Sequence, residues 1–269
     1  MKILRCTPTY YDVVYSINPH MKPGEASPTK AQEQWKAIDD VYGKIGVEVE
    51  HIEGQPGLPD MVFSANQMLH FRFPDGRLGV IMANMVHPER RGEVPFFARW
   101  FEERGYNVFF LPDTVRFEGM GDVFYHADRS FLWGGWGFRT DKEAHELIAE
   151  ITGLPVRSLH LVNSHFYHLD TCLCVLNEHT AMIYRDAFDD ESYAKLKEVY
   201  SDLIEVSEQD AMNFVCNAHC PDRKHVLLQR GRVEVENHLR QRGFTPIPLE
   251  TSEFLKAGGS VTCLRLELE

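Results

Sequence analysis

The sequence predicts an α/β protein assembled from repeated units, and three observations carry that expectation. Amphipathic helical stretches alternate with short β-rich runs and short connections, the pattern of an α/β fold. Glycine repeatedly stands between a helical stretch and the run that follows it, as in "EERGYNVFF" and "EITGLPVRSL". A polar or glycine cluster beside an apolar run recurs as "VFSANQMLHF", "GMGDVFY", "YHLDTCLCVL", "FVCNAHC" and "AGGSVTCLRL". These clusters are spaced roughly fifty residues apart, a period that indicates a radial or stacked assembly.

The elements follow in order. In "SPTKAQEQWKAIDDVYGKIG", Trp35, Ile38, Val41, Tyr42 and Ile45 fall at helical spacing. Ser27-Pro28 suits the start of that helix and Gly46 its stop. "VEVEHI" then reads as a strand. "PFFARWFEERGYNVFFL", "TDKEAHELIAEITGLPVRSL", "YAKLKEVYSDLIEVS" and "VENHLRQRGFTPIPLE" each repeat helix then strand. "LPD" occurs twice, at Leu58 and Leu111. A proline-rich loop, "INPHMKPGEASPTK", precedes the first helix; the stretch Ser16 to Thr29 is expected to act as a mobile lid. No long linker interrupts the chain, so 1–269 is taken as one domain. If the units form a ring, their polar clusters meet at its centre. That would bring Asn66, Glu118, Asp122, His168, Asp170, Asn217 and Cys263 into one pocket.

Bulk properties narrow the partners. With 28 basic and 40 acidic side chains the net charge is -12. Such a chain is ill suited to nucleic acid or an anionic membrane surface, and its field favours a cationic small molecule. No apolar stretch reaches the length of a membrane span. "MKILRCTPTYYD" lacks the apolar core of a signal peptide, so a cytoplasmic location with reduced thiols is expected for the six cysteines.

The clusters carry chemistry. Read as a strand, "YHLDTC" puts His168 and Asp170 on one face, a proton-transfer group beside a cation anchor. Glu118 of "FEGMGD" lies among glycines that could let a substrate approach closely. A structural histidine, a strand-end turn and a turn-capping glutamate are the plainer readings of the same residues. Two carboxylates suit a guanidinium, which is planar, always charged and donor-only. Cys263 then reads as a nucleophile directed at the guanidinium carbon, with His168 delivering protons to the leaving nitrogen and activating water.

"LPDMVFSAN", "HPERRGE", "FEGMGD", "GFRTD", "FYHLDTC" and "FLKAGGSVTCL" resemble, in order, motifs of the guanidine-modifying enzymes of the pentein superfamily. That group includes arginine deiminases, dimethylarginine dimethylaminohydrolases, amidinotransferases and arginine dihydrolases. The resemblance implies a five-fold pseudosymmetric α/β propeller and a hydrolase of C–N bonds that needs no cofactor and no metal. It implies Cys263 as nucleophile, His168 as general acid and base, and Glu118 with Asp170 as the guanidinium clamp. Arg90 (or Arg91) and Arg139 match positions that bind the substrate α-carboxylate, and Asp60 a position near the α-amino group or guanidinium. Phe63, Met61 and Met68 could wall a methylated nitrogen. The oligomeric state, a homo-oligomer included, stays open.

Three departures qualify the match. Asn66 stands where deiminases and dimethylargininases carry an aspartate, and "EGMGD" is one residue longer than the glycine turn of deiminases. Both features resemble the arginine dihydrolase branch, which takes arginine to ornithine, ammonia and carbon dioxide. "CNAHCPDRKH" differs from the "CNAVN" expected of close relatives. Its Cys216, His219, Cys220 and His225 could hold zinc, but the spacing matches no standard pattern and a strand-end thiol cluster is the simpler reading. Cys172 and Cys174 read as core thiols. Dimethylargininase, deiminase and amidinotransferase remain alternatives, as does a catalytically idle binding protein.

Overall fold

The computed structural model describes residues 1–268. The chain enters through β1 (Lys2–Cys6), α1 (Pro28–Lys44) and β2 (Glu48–Ile52). It continues through β3 (Met68–Arg72), β4 (Leu78–Met82), α2 (Pro88–Arg91), α3 (Val94–Glu102) and β5 (Asn107–Phe110). The third unit holds β6 (Val123–Tyr125), β7 (Leu132–Trp136), α4 (Lys142–Thr152) and β8 (Val156–His160). The fourth holds β9 (Leu173–Val175), β10 (Thr180–Ile183), α5 (Asp190–Val199) and β11 (Asp202–Glu205). Last come α6 (Glu208–Met212), β12 (His225–Gln229), α7 (Val233–Gln241), β13 (Thr245–Leu249), α8 (Ser252–Leu255) and β14 (Leu266–Leu268).

Local sequence accounts for these elements. α1 opens on Pro28, whose fixed φ suits a first helical position, and ends before Gly46 at φ +78°. Its buried Ala31, Gln34, Trp35, Ile38 and Tyr42 recur at the spacing of one helix face. α5 and α6 start on Asp189 and Ser207, whose side chains accept from the backbone N–H of Ser192 and Asp210.

The strands form five small sheets, ordered β14-β1-β2, β3-β4-β5, β6-β7-β8, β9-β10-β11 and β12-β13. One rule builds them all. A middle strand runs through a helix into a parallel neighbour, and such a connection needs that helix. In the three-stranded sheets a third strand pairs with the middle one antiparallel. β14 pairs with β1, Lys2 opposite Leu268, so the two ends of the chain share a sheet. The five sheets have the pseudosymmetric propeller arrangement that the resemblance implied.

The β12–β13 sheet is the shortened one. Where the others have a third strand, it has a single antiparallel bridge, His219 to Leu227. The divergent "CNAHCPDRKH" lies at this place. Its side chains spread rather than converge. Cys216 is in the core, His219 Nδ1 meets the Tyr42 hydroxyl at 2.8 Å, and His225 Nδ1 meets Asp222 Oδ2 at 2.6 Å. Among the described residues no group of three or more His, Cys, Asp or Glu is placed to hold a metal ion. Cys172 and Cys174 are core thiols, and Cys174 donates to the Ala218 carbonyl. No helix among the described residues is long and apolar enough to cross a membrane.

Each unit has one tight turn that leads toward its sheet. The turns are Ser64–Gln67 before β3, Gly119–Gly121 before β6 and Leu169–Thr171 before β9. Residues 213–216 and 261–264 make the other two. "YHLDTC" is therefore a turn, not the strand that alternation suggested. His168 is the extended residue in front of it, at φ -121° and ψ 149°, and Asp170 sits inside it. The two still serve one site, but by chain reversal rather than by a shared strand face.

Candidate active site

The turns bring their polar residues into a buried cluster. The Asn66 turn touches the Gly119 turn so closely that a Cβ on Gly119, already at φ +60°, would lie 2.6 Å from Asn66 backbone atoms. A Cβ on Gly121 would fall 2.2 Å from Asn66 Nδ2. The glycines of "EGMGD" thus make room for the neighbouring unit, where the sequence suggested room for substrate. Gly258 answers to the same need: a Cβ there would lie 2.6 Å from the Tyr167 hydroxyl and 2.7 Å from Asn18 Oδ1.

One half of the cluster is built on Glu118, which is fully buried. Its Oε2 is 2.7 Å from His168 Nε2 and accepts from Arg139 Nη1 at 3.0 Å. Its Oε1 accepts from the Val86 N–H. Burial alone would raise this carboxyl. The Arg139 guanidinium and the His168 hydrogen bond outweigh burial and hold it well below the usual carboxylate range. Arg139 stacks on Tyr167, 4.7 Å from the ring centroid, and donates to the Ile17 carbonyl.

The other half is built on Cys263. Its Sγ donates toward Asp170 Oδ2 at 3.3 Å and receives Asn217 Nδ2 at 3.1 Å. Asn217 Oδ1 accepts from the Ser260 and Cys263 N–H groups, so one amide ties the Cys263 loop to the Cys263 sulfur. Burial pushes the Asp170 carboxyl up to about 7 and raises the Cys263 thiol well above its ordinary value. Asp170 Oδ1 is buried with no hydrogen-bond partner among the described residues. Such an acceptor favours a donor-bearing ligand.

Cys263, His168, Asn66, Asp60, Arg90 and Arg139 line one pocket. Ile17, Asn18 and Met21, from the proline-rich loop, line it too. That loop is tied down at Lys22 N to Lys256 O and at Asn18 Nδ2 to Ala257 O. Asp60 accepts from the Tyr15 hydroxyl at 3.0 Å, and burial raises its carboxyl. Asp170 meets Cys263 from outside this lining and itself borders a second cavity, with Ala65, Cys174, His219 and Arg265.

Arg90 is enclosed. It donates to Glu93, to Asn66 Oδ1 and to the carbonyls of Asp60 and Phe63. Arg91 instead donates to the Met85 and Val86 carbonyls. Phe63 reaches the pocket, whereas Met61 and Met68 pack in the core against Leu4, Val80 and Phe97. Asp122, which the sequence put in the same pocket, is instead taken by the Thr140 hydroxyl at 2.6 Å and the Leu169 N–H at 3.1 Å. Glu93, Thr140 and Tyr167 stand inside "HPERRGE", "GFRTD" and "FYHLDTC", yet the sequence reading assigned them no role of their own. Asn217 had a signal, its place in the fourth recurrent cluster.

A family model described as N,N dimethylarginine dimethylhydrolase, eukaryotic, matches residues 16–269. This chain belongs to that family of the pentein superfamily. The N(G),N(G)-dimethylarginine dimethylaminohydrolase of Mycobacterium tuberculosis is 39% identical over 264 residues, 97% of this chain and 83% of that protein. The bifunctional arginine dihydrolase/ornithine cyclodeaminase ArgZ of Synechocystis sp. is 37% identical over 274 residues. That match takes in all of this chain but only 38% of ArgZ. The crystal structure of the N-terminal domain of ArgZ, bound to substrate, superimposes with a TM-score of 0.93 at 37% identity. It covers 98% of this chain and 97% of that one. A dimethylarginine dimethylaminohydrolase adduct at 22% identity, with a TM-score of 0.79 and 98% of each chain covered, shares the fold.

Proposed function

We propose that this chain is a cysteine-dependent hydrolase that converts arginine to ornithine, ammonia and carbon dioxide. The observation that carries the reading is the meeting of the Cys263 thiol, the His168 imidazole, the Asp60 carboxyl and the Asn66 amide around one pocket, with Asp170 bonded to the thiol and Glu118 to the imidazole. The relatives add support. A cysteine-to-serine variant of the ArgZ domain, described as an arginine dihydrolase, holds its substrate. An asparagine-to-serine variant of it is covalently bonded to a reaction intermediate.

The guanidinium enters between Glu118 and Asp170. Its charge favours the Cys263 thiolate, which burial alone opposes. Sulfur bonds to the guanidinium carbon, His168 protonates the departing nitrogen and ammonia leaves. Water then adds to that carbon, the C–S bond breaks, and a ureido group remains. In the second cycle sulfur attacks the ureido carbon, a second ammonia leaves, and water releases a carbamate that decays to ornithine and carbon dioxide. The sum is one arginine and two waters in, with one ornithine, two ammonia and one carbon dioxide out.

Glu118 is already paired with Arg139 in this structure. An incoming guanidinium would take over that partner and free Arg139 for the substrate α-carboxylate, with Asp60 placed for the α-amino group. Small-molecule partners only are expected, in a cytoplasmic setting.

A second reading is hydrolysis of dimethylarginine, favoured by the Phe63 ring at the pocket and by the mycobacterial relative. One experiment separates the two. Purified protein is given arginine, dimethylarginine and agmatine, and the products are identified by mass. Ornithine from arginine is expected. Turnover of methylated arginine alone, or a clean stop at citrulline, would overturn the two-cycle reading.

A further inference from the structure

Asn66 faces two partners with opposite demands. Its Oδ1 accepts from Arg90 Nη1 at 2.8 Å, and its Nδ2 lies 3.4 Å from His168 Nδ1. A guanidinium can only donate. Turning the amide over would set N–H against N–H at Arg90, so the oxygen belongs on the Arg90 side. The amide nitrogen then faces His168. In the neutral imidazole Nδ1 must accept, which leaves the ring hydrogen on Nε2, where it donates to Glu118 Oε2 at 2.7 Å.

Arg90 is itself held. Its Nε and Nη2 donate to the Glu93 carboxylate at 3.1 and 2.8 Å, and Nη2 also reaches the Asp60 and Phe63 carbonyls at 3.2 Å each. Glu93 is fully buried, and its remaining side-chain partner is Gln67. A buried ion pair of this kind is a poor source of stability but an effective way to specify one arrangement.

We propose that Glu93 and Arg90 act as a positioning pair that fixes the direction of the Asn66 amide and, through it, the tautomer of His168. A consequence follows for the reaction, and it rests on the two-cycle reading above. After the first hydrolysis one guanidino nitrogen has become a carbonyl oxygen, an acceptor. An Asn66 nitrogen held toward the pocket can donate to that oxygen and retain the ureido group for the second attack. An oxygen in its place would repel the ureido carbonyl and speed its release.

The test uses Glu93→Gln, with Glu93→Leu/Arg90→Met as a second protein. The double variant removes both buried charges together, which is tolerated better than stranding one of them. Thermal melts establish that each is folded. The first readout is ¹⁵N NMR of labelled His168 with the imidazole neutral. The parent should show the Nε2–H tautomer and the variants a mixture. The second readout is citrulline released per ornithine formed from arginine. It should rise at least about fivefold, the equivalent of one net hydrogen bond. Unchanged tautomer in either folded variant overturns the positioning pair, whatever the products. A parent that releases only citrulline overturns the two-cycle reading, and the NMR readout still decides the pair. A third arm addresses direct substrate contact by Arg90. A variant effect confined to KM for arginine and absent with agmatine, which lacks the carboxylate, would also overturn the proposal.

Discussion

The two halves of the site solve the problem of buried charge in opposite ways. Around Glu118 the carboxylate has two nitrogen partners on one oxygen, Arg139 and His168, and it stays ionised well below the usual range. Around Cys263 the neighbours are an amide, a thiol and a carboxyl pushed up to about 7. The first half is charged before any ligand arrives. In the second, burial raises both the carboxyl and the thiol and so works against charge.

The largest expected effect comes from breaking the second half. Cys263→Ser should lower turnover at least about a hundredfold, because a hydroxyl at neutral pH is a far weaker nucleophile than a thiolate. Its melting temperature should stay near that of the parent, since the two side chains differ little in size. Residual activity above about one per cent would exclude covalent catalysis through this residue.

Neutralising each carboxyl in turn sharpens the contrast. Glu118→Gln strands Arg139 and His168, so it should cost about 3 kcal/mol of stability as well as activity. Asp170→Asn replaces a carboxyl that burial already drives toward neutrality. It should leave stability unchanged or raised while weakening capture of the guanidinium. Equal losses of stability in denaturant titrations of the two proteins would remove the distinction between the halves.

The smallest effect is a matter of pH. Asp170 must be ionised to hold a cation, so kcat/KM for arginine should rise with pH through about 7. The limb in kcat should lie lower, because bound guanidinium pulls that carboxyl down. Stability runs the other way. The folded Asp170 carboxyl lies near 7, above its ordinary unfolded value, so the native state binds more protons in that window. Its contribution is therefore lost as pH rises from about 4 to about 7, and Asp170→Asn should remove that part of the slope. A kcat/KM that is level across this range would mean that Asp170 is ionised before substrate binds.

Much of the molecule was determined by sequence alone. The helices are short-range matters of spacing, proline starts and glycine stops, and α1, α3, α4, α5 and α7 all lie where those signals put them. The five recurrent clusters carried Asn66, His168, Asp170, Asn217 and Cys263, with Glu118 just ahead of the second, because each turn keeps its polar residue beside its own apolar strand. Tertiary structure decided what those residues do to one another. Asn66 and His168 are 102 positions apart, and Cys263 and Asp170 are 93. Only the closed ring of units fixes that the Asn66 oxygen faces Arg90 and that Asp170 sits in the poorly compensated half. The enclosure of Arg90 by Glu93 has the same origin, as does the service of the Gly119 and Gly121 turn to a neighbouring unit. The physical reason is that a hydrogen bond's direction and a buried group's charge depend on atoms brought in from distant parts of the chain, and no local pattern records them.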